Sequence, residues 1–160
     1  MGMLELISEK EIVDIVYKLI AIEGHKDVEY KESKVAEFIK ELFENEDIIV
    51  ESKEIEKKRP NIYARIEGKS KDVHLMLSGH IDTIPGFDMD FEPFSPFIKD
   101  GCIFGRGSAD MKGGIAAMIA AMIAIKRQEL KLDKTVMFAG VIDEEERSKG
   151  TEDFIKSNGH

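Results

Sequence analysis

The chain has 160 residues, the size of one domain, with 42% hydrophobic residues, 34% charged residues and a formal net charge of −9. That balance describes a soluble globular protein with a proper core rather than a disordered chain. The acidic excess argues against a nucleic-acid backbone or an anionic membrane surface as partner. Cys102 stands alone, so no disulfide framework exists, which suits a reducing cytoplasm.

Residues 1–8 lack the basic-then-apolar pattern of a signal peptide. Ser8-Glu9-Lys10-Glu11 has the form of a capping box, a hydroxyl followed three residues later by a glutamate. Ile12, Ile15, Val16, Leu19 and Ile20 then repeat at helical spacing, with Gly24 as the expected stop. Val35, Phe38, Ile39, Leu42 and Phe43 mark a second helix, and His25 between the two reads as a solvated loop histidine. Ile48, Ile49 and Val50 form a short run of strand type, and the charge-dense stretch 51–59 reads as a solvated edge or loop.

Ile62, Ala64 and Ile66 alternate with polar or larger residues, as do Val73, Leu75 and Leu77, so both segments are expected as half-buried strands. His74 is then an ordinary strand residue. Residues 83–96 are a Pro/Gly/Asp-punctuated loop with Phe87, Phe91 and Phe94 as packing anchors. Asp100-Gly101, flanked by apolar triplets, predicts a hairpin. A helix is expected over 110–128. Its uncharged run, 113–125, has 13 residues where a membrane span needs about 20, so it reads as a buried core helix. Residues 135–142 are nearly continuous in apolar character, as in a strand covered on both faces, and a last helix is expected over 151–157.

Strands alternating with helices indicate an α/β fold, a mixed twisted sheet with helices on both faces. Ligands in such folds gather beyond the carboxyl ends of the strands. His80, Asp110 and Glu144-Glu145 all fall at such ends. Taken singly, each has an ordinary explanation: His80-Ile81-Asp82 is a short motif, Asp110 suits a helix start, and Asp143 to Glu146 could be a solvated charge run. Gly105-x-Gly107 is not a phosphate loop, because Asp110 replaces the third glycine of the dinucleotide fingerprint and no Gly-Lys-Ser/Thr follows. A neutral imidazole with a carboxylate behind it is a good metal ligand. Adjacent carboxylates leaving a strand can divide metal binding and proton transfer between them.

Jointly, Leu77-Ser-Gly-His-Ile-Asp-Thr-Ile-Pro85, Gly105-Arg-Gly-Ser-Ala-Asp-Met-Lys-Gly-Gly114 and Asp143-Glu-Glu resemble the zinc-dependent amidohydrolase and metallopeptidase family. That family includes acetylornithine deacetylase, succinyl-diaminopimelate desuccinylase, aminoacylase and glutamate carboxypeptidase. The resemblance implies His80 as ligand of a first metal, Asp110 as a bridge between two metals and Glu145 as ligand of the second. It implies Glu144 as general base and Asp82 as the residue orienting His80. It assigns Lys112 no role beyond helix-start electrostatics.

The implied cofactor is a pair of Zn2+ ions, with Co2+ or Mn2+ as substitutes. The implied reaction is hydrolysis of an amide in a small acylated amino acid or a peptide. Family members carry further ligands and a lid or dimerisation domain beyond the point this sequence reaches. Residues 1–160 are therefore expected to be the N-terminal part of a catalytic domain, in which each metal keeps two protein ligands. Apolar surface is expected to be left for a homo-oligomer or the missing C-terminal portion to cover. Three readings stay open: a metal-dependent hydrolase, a catalytically incomplete fragment, and a small interaction module on the same scaffold.

Overall fold

A computed structural model describes residues 6–158; His160 lies outside that range. Helix α1 (Glu9–Ala21) starts at the expected capping box: Glu11 N–H donates to Ser8 Oγ at 3.2 Å, and Ser8 N–H donates to Glu11 Oε2 at 2.8 Å. It ends before Gly24, because Ile22 leaves the helix in an extended conformation. Helix α2 (Ser33–Glu44) buries Val35, Ala36, Ile39 and Phe43.

Strand β1 (Ile49–Glu56) takes in most of the charge-dense stretch, which is an exposed edge strand rather than a loop. Arg59 departs from expectation, since it opens β2 (Arg59–Ile66) and is buried. After β3 (Ser70–His80) come the hairpin strands β4 (Phe97–Lys99) and β5 (Cys102–Phe104). Asp100 and Gly101 between them have φ of 51° and 76°, the two positive values that a tight primed turn requires. Helix α3 (Gly113–Arg127), β6 (Lys134–Val141) and α4 (Lys149–Asn158) complete the chain.

The main sheet has the order β1-β2-β6-β3. β2 pairs antiparallel with both β1 and β6, whereas β3 runs parallel to β6, so the sheet is mixed. Ala64 and Phe138 are paired in register and share a face, where Phe138 meets Phe43 of α2 with ring centroids 5.2 Å apart. Tyr63 points to the opposite face and meets Phe154 of α4 at 5.8 Å. Helices therefore cover both faces. The core joins α1, α2 and α3 to one side of the sheet through Leu19, Ile39, Ile119, Ile123 and Phe138. The most apolar helix, α3, is a core helix with Ile115, Ile119 and Met122 fully buried.

The alternation in β3 does not mark a half-buried strand throughout. Val73 is 50% exposed and Leu75 47%, on a strand that lies at the edge of the sheet. Burial returns only toward its carboxyl end, at His80 and Ile81. Gly79 pairs with Gly140 and His80 with Val141, so parallel β3 and β6 end side by side. The dipeptides that leave them, Ile81-Asp82 and Ile142-Asp143, start the two loops of the candidate site.

Candidate metal centre

Three loops meet at the paired strand ends. The first follows β3. His80 is buried, and its Nδ1 lies 3.1 Å from the backbone carbonyl of Asp82 and 3.5 Å from that residue's carboxylate. A carbonyl can only accept, so Nδ1 carries the hydrogen and the Nε2 edge faces the other two loops. Asp82 is itself 3% exposed. Its two carboxylate oxygens accept the backbone N–H groups of Glu144 (3.1 Å) and Glu145 (3.0 Å). One side chain thus fixes the turn that carries both glutamates, a stronger tie than its longer contact with the imidazole.

The second loop is the glycine turn before α3. Gly107 has φ of 80°, and a Cβ there would lie 2.6 Å from Thr83 Cγ2, so the close approach of the first two loops requires glycine. Asp110 is not the helix cap that its position suggests. It is extended (φ −128°, ψ 99°) within the irregular turn Ser108–Lys112, and α3 begins three residues later. Freed from capping, its exposed carboxylate reaches His80, with Oδ1 3.0 Å from Nε2. Lys112 has more than an electrostatic place at the helix start. It is 1% exposed and donates from Nζ to the Ile22 carbonyl at 2.7 Å, tying the turn to the end of α1. Burial pulls its ammonium pKa down to about 7.

The third loop follows β6. Asp143 is buried with φ of 67°, and this left-handed residue turns the chain out of the sheet. Glu144 Oε2 lies 3.8 Å from His80 Nε2. Donor atoms of His80, Glu144 and Glu145 all lie within 4.8 Å of one another. Asp110 stands outside that trio and joins it through His80. Beside the cluster is a cavity of about 100 Å³, lined among others by His25, Asp82, Thr83, Phe87 and Glu145. His25 is not a solvated loop residue: it is 6% exposed and stacks on Phe94 at 5.2 Å, because the Thr83 N–H holds the Gly24 carbonyl against this wall at 3.0 Å.

The electrostatics are lopsided. Burial alone would lower the His80 pKa, but its contacts with Asp82 and Asp110 and the nearby Glu144 charge push it up to about 9. Burial raises the Glu145 carboxyl; the His80 charge opposes this, while Asp110, Asp82 and Glu144 add to it. Four carboxylates thus surround one imidazole. One nitrogen and several carboxylate oxygens converging in a region of excess negative charge are a donor set that fits a divalent cation such as zinc.

Sequence reasoning missed the support beneath the third loop. Arg59, 6% exposed, donates from Nε and Nη2 to the two carboxylate oxygens of Glu32, both at 2.8 Å, and from Nη2 to Asp143 Oδ1 at 2.7 Å. Glu32 is 1% exposed and sits just before α2, yet its carboxylate serves Arg59 instead of capping the helix. No local motif marks these residues, which are 27 and 84 positions apart.

The fold and the sequence are similar to those of known proteins. The sequence profile of peptidase family M20/M25/M40 matches residues 76–160. A probable succinyl-diaminopimelate desuccinylase of Staphylococcus epidermidis is 33% identical over 150 residues, covering 92% of this chain and 36% of that protein. The crystal structure of human carnosine dipeptidase 1 superposes with a TM-score of 0.76 at 22% identity, over 92% of this chain and 35% of that one. The Bacillus subtilis protein YXEP, described as a dinuclear metal-binding peptidase of the M20 family, superposes with a TM-score of 0.58 at 18% identity, over 85% of this chain and 35% of that one. The chain spans about a third of the length of these relatives. With the profile matched over the half of the sequence that carries all three motifs, the chain belongs to peptidase family M20/M25/M40.

Proposed function

We propose that residues 1–160 form the N-terminal part of a metal-dependent amidohydrolase domain that cleaves an amide bond in a small acylated amino acid or peptide. The observation that carries this reading is the convergence of His80 Nε2 with the Asp110, Glu144 and Glu145 carboxylates beyond the ends of β3 and β6. His80 and Asp110 would hold one metal ion, and Asp110 and Glu145 a second. Zinc is the first candidate, and cobalt or manganese are acceptable to the same donors. Such an ion supplies polarisation of the amide carbonyl and acidifies water, bringing its pKa to about 7 in known zinc sites.

The chain's own groups do the rest. Glu144, exposed at the mouth of the cluster, takes the proton from the attacking water and returns it to the leaving nitrogen. Assistance of this kind is worth about 10²–10⁴-fold. Asp82 holds the backbone of both glutamates, so the base and the ligand beside it keep a fixed separation. Its backbone carbonyl fixes the His80 tautomer that leaves Nε2 available. Hydrolysis of N-acyl amino acids and dipeptides by the zinc-loaded chain, abolished in Glu144→Ala, tests the reading; equal activity in that variant would refute it.

A second reading is favoured by the exposed apolar edge at Val73, Leu75 and Met76. On that reading the 160-residue chain binds metal but turns over substrate only when further structure covers this edge. Metal uptake without hydrolysis would select it.

A further inference from the structure

We propose that Arg59 and Glu32 are positioning residues for the metal-site carboxylates: their buried ion network with Asp143 sets the turn that presents Glu144 and Glu145. The inference rests on the functional reading above for what the glutamates do, and on geometry for how they are held.

The turn is gripped from two sides. On the site side, Asp82 accepts the N–H groups of residues 144 and 145. On the far side, Arg59 holds the Asp143 carboxylate at 2.7 Å, and Glu32 Oε1 accepts the Asp143 N–H at 3.3 Å. Asp143 thus has its side chain and its N–H both committed to one Arg–Glu pair. Its carbonyl accepts the Arg147 N–H at 3.0 Å, closing the turn behind it. The left-handed conformation at φ 67° is costly for a residue with a side chain, and these bonds hold it. Lys31 adds a contact to Asp143 at 3.6 Å and pairs with Glu146.

The guanidinium is the one group suited to this place. It gives three N–H bonds to the Glu32 and Asp143 carboxylates in a fixed plane and a fourth, from Nη1, to Glu56. A lysine would keep the charge and lose the fork. Substitution of Arg59 by lysine should therefore preserve the sheet and loosen the turn.

The test compares backbone amide hydrogen exchange in the wild-type chain and Arg59→Lys, followed by a Zn2+ titration of the same samples. We expect exchange at the Glu144 and Glu145 amides to speed up about tenfold or more. Exchange at Phe138, within β6, should be unchanged. Zn2+ affinity should fall about 10–100-fold, the usual loss when groups behind a ligand are removed. Glu32→Gln, which keeps shape and removes charge, should give the same pattern and replaces the lysine variant if that one does not fold.

Unchanged exchange at 144 and 145 would overturn the proposal. So would loosening that includes Phe138 equally, since that marks a merely structural role, or loosened amides with undiminished Zn2+ affinity. A wild-type chain that takes up no Zn2+ would refute the metal reading, while the exchange comparison would still decide whether Arg59 and Glu32 position the turn.

Discussion

Two clusters of charge lie at the same end of the sheet, on either side of the turn at residues 143–145, and they are built on opposite terms. In one, Arg59 bonds both oxygens of the buried Glu32 carboxylate and Oδ1 of Asp143, with Lys31 close by. In the other, His80 faces Asp110, Glu144 and Asp82, with Glu145 beside them. The first is matched in charge, with Arg59, Glu32 and Asp143 all buried. The second is unmatched and open on the side of Asp110 and Glu144, whose side chains are 79% and 49% exposed. Buried charges left without partners are expensive, so a protein keeps surplus carboxylates in an exposed cluster where a cation can reach them. The matched cluster stabilises the fold and the unmatched one is available for chemistry.

The contrast can be broken most directly at Arg59. Arg59→Met would strand two buried carboxylates next to each other and should cost about 3–5 kcal/mol, read as a lowered denaturant midpoint with an unchanged slope. A loss below about 1 kcal/mol would mean that the matched cluster is not holding the turn. Asp110→Asn should behave in the opposite way. Its carboxylate is largely exposed, so metal-free stability should stay within about 0.5 kcal/mol of wild type, while Zn2+ affinity should fall severalfold or more.

The response to pH should also separate the two clusters. The Asp143 carboxyl suffers from burial but is held below its ordinary value by Arg59 and Lys31. A depressed carboxyl contributes stability above its unfolded pKa and loses it as pH falls through the folded value. His80 runs the other way in the metal-free chain. Its folded pKa of about 9 exceeds the ordinary 6.5, so its contribution is complete below about 6.5 and disappears as pH rises through about 9. Urea midpoints of the metal-free chain should fall toward acid. On the alkaline side buried Lys112, its folded pKa of about 7 lying below the ordinary 10.5, contributes with the opposite sign. The His80 contribution is therefore read as the difference between wild type and His80→Gln, which should shrink as pH rises through about 9. The smallest effect on the metal site is expected far from both clusters. Ser8→Ala removes the cap of α1, should cost about 1 kcal/mol and should leave Zn2+ binding unchanged.

Local features were legible in the sequence because they are decided by neighbours. Ser8 and Glu11 are three residues apart, and Asp100-Gly101 meets the dihedral demands of its turn by itself. The placing of His80, Asp110 and Glu144-Glu145 at strand ends followed from hydrophobic periodicity, and the geometry brings these side chains together. What the sequence did not disclose depends on distant partners. Arg59 looked like one more charge in a solvated stretch, and only folding brings Glu32 and Asp143 to it. His25 looked polar and free until Phe94 covered it. Asp110 has the composition of a helix cap, and only its extended backbone shows that it is released to face His80. The alternation of Val73 and Leu75 was visible, but alternation does not say whether a strand lies at an edge.

The central claim is that the unmatched cluster is a divalent-cation site, and calorimetric titration of Zn2+ into the dialysed chain tests it most directly. The account predicts saturable binding in the wild type, weakened at least tenfold in Glu145→Gln, a variant that keeps the shape of the side chain and removes its charge. It predicts no change in Ser8→Ala. No saturable uptake by the wild type, or equal affinity in Glu145→Gln, would contradict it.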